Sequence, residues 1–566
     1  MAGIISEGGI AASQVTAPGI YVSILAPPPI ISSVSSSIGG LVGSATWGPT
    51  NVPLFCGSMA DYIRNFGQIP SSSANYQTPT AAAPINPADM GSYAFAAFAQ
   101  ATGGAGIGLW CVRVADSSAK QASVTLDDTT TPTAASGIVL SGKYSGTTGN
   151  GIAVTIAAGS KAPSGTTTYF TVTISPPPGL GIQPEVFANI PGNAANMANS
   201  PFWGNLNAAI SNGIVGGRGP SNLVVGSSPS ATAENPLTGT FDLTGGADGT
   251  SPGALAYNTS TNLAGLELGS STGVPPTGMY ALAGLGVDAF CLCGWGYGTG
   301  TGYGQSEGTV FAEVEAFAQS IGAAFISGLP GGCDYATATA VGTVQSNPDD
   351  WICFYVKDRQ VLDDGLNAPR LFDGAPFALG RYLGSPPQNS LLNTTVVSGG
   401  SSRTSSLGSP APYSNAEIGL AQNGRILLIA KPIPKANVLG FATGVNGSSN
   451  MATAPCEYTA VTLMIAKSLV AAMAIFVGGD NLQGSTDPDP VRSGVETALN
   501  NYLDSLKLQR VIDSYSAVCD LSINSPESIA AHYLYAQVKA KYLSSVWYFM
   551  LSFTGGTTVQ VQVAKG

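Results

Sequence analysis

The sequence predicts a multidomain protein of the α/β plus β class, and three observations lead to that prediction. The chain has 566 residues, which is too long for a single hydrophobic core. Residues 251–435 alternate strand-like and helix-like segments, which favours an α/β domain with a parallel sheet. Residues 116–250 are rich in Thr, Ser, Gly and Pro with short alternating runs, which is typical of a β-sandwich or barrel.

The N-terminal part divides into an arm, residues 1–26, and the first part of a core, residues 27–115. The arm contains "PGIYVSIL", a strand pattern whose residues include Ile20, Tyr21, Val22 and Ile24. In the core part, a helix is predicted over "SMADYIRNFG", because Ser58 is a good N-cap and Gly67 a good terminating residue. A second helix over "MGSYAFAAFAQATGG" and a strand over "GLWCVRV" follow.

The α/β region is predicted from three apolar strands and one amphipathic helix. The strands are "VDAFCLCGW", "AAFISGLP" and "DWICFYVKD". The helix, "EGTVFAEVEAFAQSIG", places Val310, Val314 and Phe317 on one face. A long polar loop is expected at about 385–410.

The C-terminal part, residues 436–566, begins with helices and ends with strands. "VTLMIAKSLVAAMAIFVGG" is interpreted as a buried helix, because the charged Lys467 in its middle argues against a membrane-spanning helix. Asp489 and Pro490 open the next helix as N-cap and first residue. Strands are predicted over "YLYAQVKAKY", "SSVWYFMLSF" and the terminal "TTVQVQVAKG", where Val559, Val561 and Val563 alternate with Gln560 and Gln562. Neither terminal strand has an adjacent hairpin partner in the sequence.

The charge content excludes some classes of function. Only 9% of the residues are charged, where a soluble domain has roughly 25%. With 21 basic and 32 acidic residues and no basic run, the chain is not expected to bind nucleic acid. So little charge suits a subunit held in an assembly better than a free monomer. The first residues lack the pattern of a signal peptide.

No catalytic, cofactor or metal site is predicted. The 8 cysteines form no CxxC pair, and Cys291, Cys293 and Cys353 lie in apolar strand patterns that favour buried thiols, with disulfides as the alternative. The single histidine, His532, lies beside an alternating strand without a cleft signal, which favours a structural role over that of a catalytic base. We therefore expect a protein that is not an enzyme.

Two glycine-rich stretches fail as nucleotide loops. "GIVLSGKY" (137–144) has Tyr144 where a phosphate loop needs Ser or Thr. "GWGYGTGTGYG" (294–304) follows a strand but never gives GxGxxG.

Several segments, in this order, resemble the sheath proteins of contractile phage tails of the myovirus type. "APGIYVSILAPPPIISSVSSSIGGLVGSATWGP" is similar to the family's opening, and "YAFAAFAQATGGAGIGLWCVRV" to the helix, turn and strand that close its first part. "LSGKYSGTTGNGIAVTI" and "LTGGADG" resemble two later landmarks; the matching positions in the first of these are Lys143, Gly146, Gly149, Asn150 and Val154.

The resemblance implies a fold and an assembly mode. The α/β region, residues 251–435, would have a subtilisin-like layout without protease chemistry, and residues 116–250 would be an inserted domain. The arm and the last strand would be donated to neighbouring subunits by β-augmentation, which builds an open helix of copies.

The resemblance also implies a mechanical function. The subunit would polymerise around an inner tail tube and contract to drive the tube through the host envelope, for DNA ejection and host entry. Its partners would be copies of itself, the tube protein, and baseplate and tail terminator proteins, without direct nucleic acid contact or membrane insertion. It would reside in the virion after assembly in the host bacterial cytoplasm. Candidate tube-facing residues, for which a solvated face is the alternative, are Lys507, Arg510, Lys539 and Lys541.

Two other interpretations remain open. One is the sheath of a phage-derived bacteriocin or ejection device. The other, from a different class, is a secreted multidomain hydrolase or adhesin, which predicts a soluble monomer.

Overall fold

The computed structural model describes most of the chain, in two compact units. The larger unit comprises residues 34–387 and 391–467, and the smaller comprises residues 1–33, 388–390 and 468–566. The described residues are 5–7, 22–24, 31, 37–69, 89–101, 106–130, 135–194, 197–213, 218–249, 276–294, 309–329, 350–357, 359–363, 369–372, 374–397, 400–402, 413–431, 433, 438–478 and 489–551.

The strands, numbered along the chain, are β1 Ile5–Glu7, β2 Val22–Ile24, β3 Ile38–Gly43, β4 Pro53–Cys56, β5 Gly108–Arg113, β6 Gln121–Asp127, β7 Ser136–Ser145, β8 Ala153–Ala158, β9 Thr168–Ser175, β10 Glu185–Gly192, β11 Val224–Gly226, β12 Gly239–Asp242, β13 Ala289–Leu292, β14 Ala324–Gly328, β15 Cys353–Lys357, β16 Arg359–Asp363, β17 Pro369–Phe372, β18 Gly400–Ser402, β19 Ile426–Ala430, β20 Gly440–Phe441, β21 Ile512–Val518 and β22 Gln537–Tyr542.

The α-helices are α1 Met59–Phe66, α2 Met90–Gln100, α3 Phe202–Asn212, α4 Thr309–Ile321, α5 Ala375–Leu383, α6 Asn415–Asn423, α7 Cys456–Met473, α8 Pro490–Leu508 and α9 Pro526–Ala530.

The larger unit is built on a sheet of eight described strands in the order β20-β19-β15-β14-β13-β3-β5-β4. The pairs from β19 to β5 are parallel, and β20 and β4 close the two ends in antiparallel fashion. The central strands are buried along their whole length, as expected for a parallel sheet covered on both faces. The predicted α/β order with a parallel sheet is therefore confirmed.

The helices of this unit begin and end where local chemistry requires. Ser58 caps α1 by accepting a hydrogen bond from the Asp61 N–H, and Gly67 ends the helix with a φ of 86°. In α4, Val314 and Phe317 are buried against the sheet core as predicted. The side chain of Val310 lies outside the described residues.

The β-rich region folds as two antiparallel sheets around one core. The sheets are β10-β9-β8-β12 and β11-β7-β6, and α3 contributes Trp203 to the core between them. This is the predicted β-sandwich, with a helix that the sequence pattern did not predict. Lys143 lies within β7, and its N–H donates to the Leu223 carbonyl, so "GIVLSGKY" is a strand and not a phosphate loop.

The smaller unit contains α8, α9 and the antiparallel pair β21–β22. Asp489 caps α8 by accepting the Val491 N–H at 2.7 Å, and Pro490 is the first helical residue, both as predicted. One apolar stripe of α8 is buried, at Val495, Ala498, Leu499, Tyr502, Leu503 and Leu506.

Three predicted elements need correction. The predicted loop at 385–410 contains β18, which pairs with β16. The predicted strand over "SSVWYFMLSF" is not formed at residues 545–551, because no strand among the described residues pairs with them. The helix near 460–477 is buried only in its first half, since Val470 and Ile475 are exposed. The division into five segments remains a prediction.

Candidate functional site

The predicted donated strands are only partly described. Val22 and Ile24 lie in β2, while Ile20, Tyr21 and the whole predicted strand from Val559 through Gln560, Val561 and Gln562 to Val563 lie outside the described residues. Within one chain β2 pairs in parallel with β1, which places Ile5 opposite Val22. This pairing is parallel and is not a hairpin, so the donation of the N-terminal strand to a neighbour stays a prediction. A pair of three-residue strands is marginal by itself.

The β21–β22 sheet has two strands within the described part of the chain, so each strand has one edge that pairs with no other described strand. One face of the sheet packs on α8. Tyr515 donates its hydroxyl hydrogen to the Asn500 carbonyl oxygen at 3.3 Å, and Ala517 is buried on that face. An open-edged sheet on a fixed helix has the geometry of an acceptor for an added strand.

The opposite face of this sheet is basic. Lys539 and Lys541 lie opposite Ser516 and Ser514 in the ladder and are exposed. Their positions differ by two residues, so both side chains leave the same face. The sheet thus presents two of the four predicted tube-facing cations together.

The other two cations lie at the end of α8. Lys507 is exposed in the last turn, where a cation complements the helix dipole, and Arg510 is exposed just beyond it with a φ of 57°. Lys541 Nζ lies 2.8 Å from Asp513 Oδ2. The hydrogen bond and charge of Lys541 lower the pKa of Asp513, with a further contribution from Lys507, and Asp513 in turn raises the pKa of Lys541. The structure therefore places Lys541 in contact with Asp513, while Lys507 acts on the same carboxylate through its charge alone.

His532 has a different setting from the one predicted. It is exposed, has a φ of 65°, and lines a cleft of about 700 Å³ in the smaller unit. The expectation that no cleft surrounds it was wrong. The other lining residues are apolar, and among them are Phe476, Val491 and Leu534. Among its described lining residues the cleft gives His532 no carboxylate or nucleophile, which is a poor setting for acid–base chemistry.

The exposed apolar surface of this unit was missed from the sequence as a functional feature. Val546, Tyr548, Phe549, Met550 and Leu551 are all at least 70% exposed. A run of consecutive exposed apolar residues signals an interaction surface. The signal was present in "SSVWYFMLSF", but it was interpreted as a strand alone.

The predicted buried thiols are observed. Cys291, Cys293 and Cys353 are completely buried in or beside the central strands. None of the seven cysteines in the described part of the chain forms a disulfide. In the described part of the chain, no group of three or more His, Cys, Asp or Glu side chains could hold a metal ion.

One helix in the described ranges is long and apolar enough to cross a membrane. It is α7 with the turn that follows, Cys456–Phe476, with a mean hydropathy of 1.9 and 28% of its window buried. Length and composition alone are weak grounds for a span, because core helices pass the same test. Its first half contributes Cys456 and Leu463 to the core of the larger unit.

Comparisons with known proteins identify the fold. No family model matches the sequence, and no curated protein matches it. A solved structure of a sheath tail protein from Desulfitobacterium hafniense aligns with 93% of this chain and 100% of its own chain, with a TM-score of 0.52 and 15% identity. A sheath tail protein from Listeria innocua aligns with 90% of this chain and 96% of its own, with a TM-score of 0.53 and 12% identity.

The chain therefore has the fold of sheath tail proteins over nearly its whole length. The resemblance drawn from the sequence is confirmed at the level of the fold.

Proposed function

We propose that this protein is the structural and mechanical subunit of a contractile phage tail sheath. It polymerises helically around the inner tail tube and contracts to drive the tube through the host envelope. The observation that carries the proposal is the sheath tail fold across 93% of the chain and the full length of a solved sheath tail protein. An enzyme activity forms no part of the proposal.

Assembly proceeds by strand donation. The N-terminal arm with β2 and the predicted C-terminal strand Val559–Val563 each add to a sheet of a neighbouring copy. The β21–β22 pair supports the proposal, since each of its strands has one edge that no other described strand occupies. A head-to-tail contact of this kind propagates as an open helix. The α/β region of residues 251–435, whose strands β13, β14, β15 and β19 share one sheet with β3, β4 and β5, takes the subtilisin-like layout, as a likeness of fold alone.

The four predicted cations of the smaller unit turn toward the tube. Lys507, Arg510, Lys539 and Lys541 are all exposed, and Asp513 neutralises only part of their charge. These cations contact acidic groups of the tube. The sheath also contacts baseplate and tail terminator proteins. The protein resides in a virion that is assembled in the host bacterial cytoplasm. It has no direct nucleic acid or membrane contact.

Negative-stain electron microscopy of the purified full-length chain tests the polymer. We expect striated hollow tubes for the wild type and none after deletion of residues 557–566, with the α/β core still folded by circular dichroism. The matched control replaces Gln560 and Gln562 by Thr, which keeps the valine face and a strand-forming sequence. Normal tubes from the truncated chain would contradict strand donation, and discrete monomers of the wild type would favour the hydrolase or adhesin interpretation.

Charge reversal tests the tube contact. The Lys539→Glu and Arg510→Glu variants should pellet with the inner tube at least tenfold less well at low salt. Lys120→Glu, an exposed change in the larger unit, should leave pelleting unchanged. Equal pelleting of all variants would show that these cations form a solvated face. Genome context separates a virion sheath from that of a bacteriocin or ejection device.

A further inference from the structure

The smaller unit has two apolar features that are complementary and separate. The first is the cleft of about 700 Å³, formed by the end of α7, the start of α8 and the chain from α9 to Ala536. The second is the segment Val546–Leu551, which we name the apolar segment. Neither feature has a role in strand donation or in the basic face.

The side chains that line the cleft are mostly apolar. Of its described lining residues only His532 can carry a charge, and the walls include Met473, Phe476 and Ile529. Its volume lies within the range of about 300–1,000 Å³ that is typical of binding pockets. Val477, at its rim, is 84% exposed, so the cleft continues into apolar surface.

The apolar segment has the chemistry that the cleft requires. It consists of Val546, Trp547, Tyr548, Phe549, Met550 and Leu551. Phe549 is 84% exposed and Met550 is 92% exposed, so the segment does not occupy the cleft of its own chain. Large aromatic and methionine side chains are those that anchor interfaces.

The path of the chain favours a second copy as the source of the occupant. Ala536 lines the cleft, and β22 begins at the next residue. The six residues of β22, at about 3.3 Å each, extend the chain by roughly 20 Å between Ala536 and the apolar segment. The segment then continues toward the predicted donated strand at Val559. Eight residues from Leu551 span at most about 28 Å, so donation of that strand would bring the segment to the neighbour that receives it.

We propose that the cleft of one copy receives the apolar segment of a second copy. The inference rests on the proposed function, since strand donation brings the segment to its neighbour. The contact joins two different surfaces, so it repeats from copy to copy without closing. It attaches the part of the chain just before each donated strand to the same copy that accepts the strand.

Photo-crosslinking of the full chain tests the contact. Phe549 is replaced by the aromatic photo-crosslinker p-benzoylphenylalanine, and chains with light and heavy nitrogen isotopes are mixed before irradiation. We expect mixed-isotope cross-links to the cleft peptides 473–478 and 529–536. Val477→Asp should reduce them at least tenfold. Val470→Asp, a change at a 74% exposed position of α7 outside the cleft, should leave them unchanged.

Four outcomes would overturn the proposal: cross-links confined to one isotopic copy, cross-links elsewhere on the surface, equal yields in both variants, or flotation of the chain with phosphatidylcholine vesicles that Val477→Asp abolishes.

Electron microscopy of the same samples separates the two proposals. Tubes without cleft cross-links refute this contact and leave the sheath function standing. Mixed-isotope cleft cross-links in small oligomers, without tubes, support the contact and refute the polymer.

Discussion

A buried ion pair in the larger unit gives the sharpest stability prediction. Lys467 on α7 places Nζ 2.9 Å from Asp288 Oδ1 and 2.6 Å from the Val287 carbonyl oxygen. The other Asp288 oxygen accepts the Ile38 N–H at 3.1 Å. The two side chains are only 16% and 9% exposed. The pair therefore joins α7 to the start of the central sheet.

Lys467→Met removes the cation and keeps much of the side-chain volume. The carboxylate of Asp288 then stays buried without its counter-charge, which costs about 3–5 kcal/mol. The double variant Lys467→Met with Asp288→Asn should recover part of this loss, because no uncompensated buried charge remains. Arg64→Met, in the exposed pair of Arg64 with Asp61, is the matched control and should have little effect.

The loss should depend on pH. Burial raises the pKa of Asp288 above its ordinary value of 3.8, while Lys467 opposes the rise. Without Lys467 the folded pKa rises further, so the native state binds a proton where the unfolded state does not. The free energy of unfolding of Lys467→Met then increases as the pH falls from the raised folded pKa toward 3.8. Its deficit relative to wild type should be largest at neutral pH.

Urea unfolding at several pH values, followed by circular dichroism, measures these differences in the transition of the larger unit. If Lys467→Met unfolds at the wild-type urea concentration, or if its deficit is the same at every pH, the buried pair does not anchor α7 as argued.

Four further predictions concern single sites, each checked by urea or thermal unfolding. Gly204→Ala in α3 should stabilise by about 0.5–1 kcal/mol, because the added methyl group meets nothing and helix propensity improves. Gly137→Ala should destabilise by about 1–3 kcal/mol, because the same methyl group would lie 2.3 Å from the Trp203 ring. Asp128→Ala should destabilise the sandwich by about 1–3 kcal/mol or more, since three backbone N–H groups lose their acceptor. Burial alone would raise the pKa of Asp128, but its hydrogen bonds outweigh this and lower it, so its stabilisation should be lost as the pH falls below 3.8. Ser414→Ala should cost about 1 kcal/mol by removing the cap of α6.

Local chemistry was sufficient for much of the fold. Ser58 and Asp489 were predicted as N-caps, because their side chains satisfy helical N–H groups whatever the tertiary context. The buried strands β13, β14 and β15 were predicted from apolar runs, which parallel sheets require on both faces.

Other elements depend on packing that no local pattern encodes. Helix α5 contains Gly380, which lowers helix propensity and hid the helix from the sequence pattern. A Cβ at Gly380 would lie 2.2 Å from the Ala97 carbonyl oxygen of α2, so the glycine is required by close packing of the two helices. For α6 the signal was present in the capping box of Ser414 and Glu417, but no helix was predicted there.

For the apolar segment, the sequence pattern correctly indicated apolar residues that suit a strand, but the strand predicted from it is not formed within one chain. Its residues suit a strand, yet no strand forms, because a strand exists only when another backbone supplies its hydrogen bonds. The pair β21–β22 meanwhile has edges that no described strand occupies. With only 9% charged residues, a chain that kept both features exposed would be prone to associate. In a polymer, neighbouring copies would cover the apolar segment and the edges of β21–β22. The apolar segment that forms no strand within one chain therefore agrees with assembly and does not argue against it.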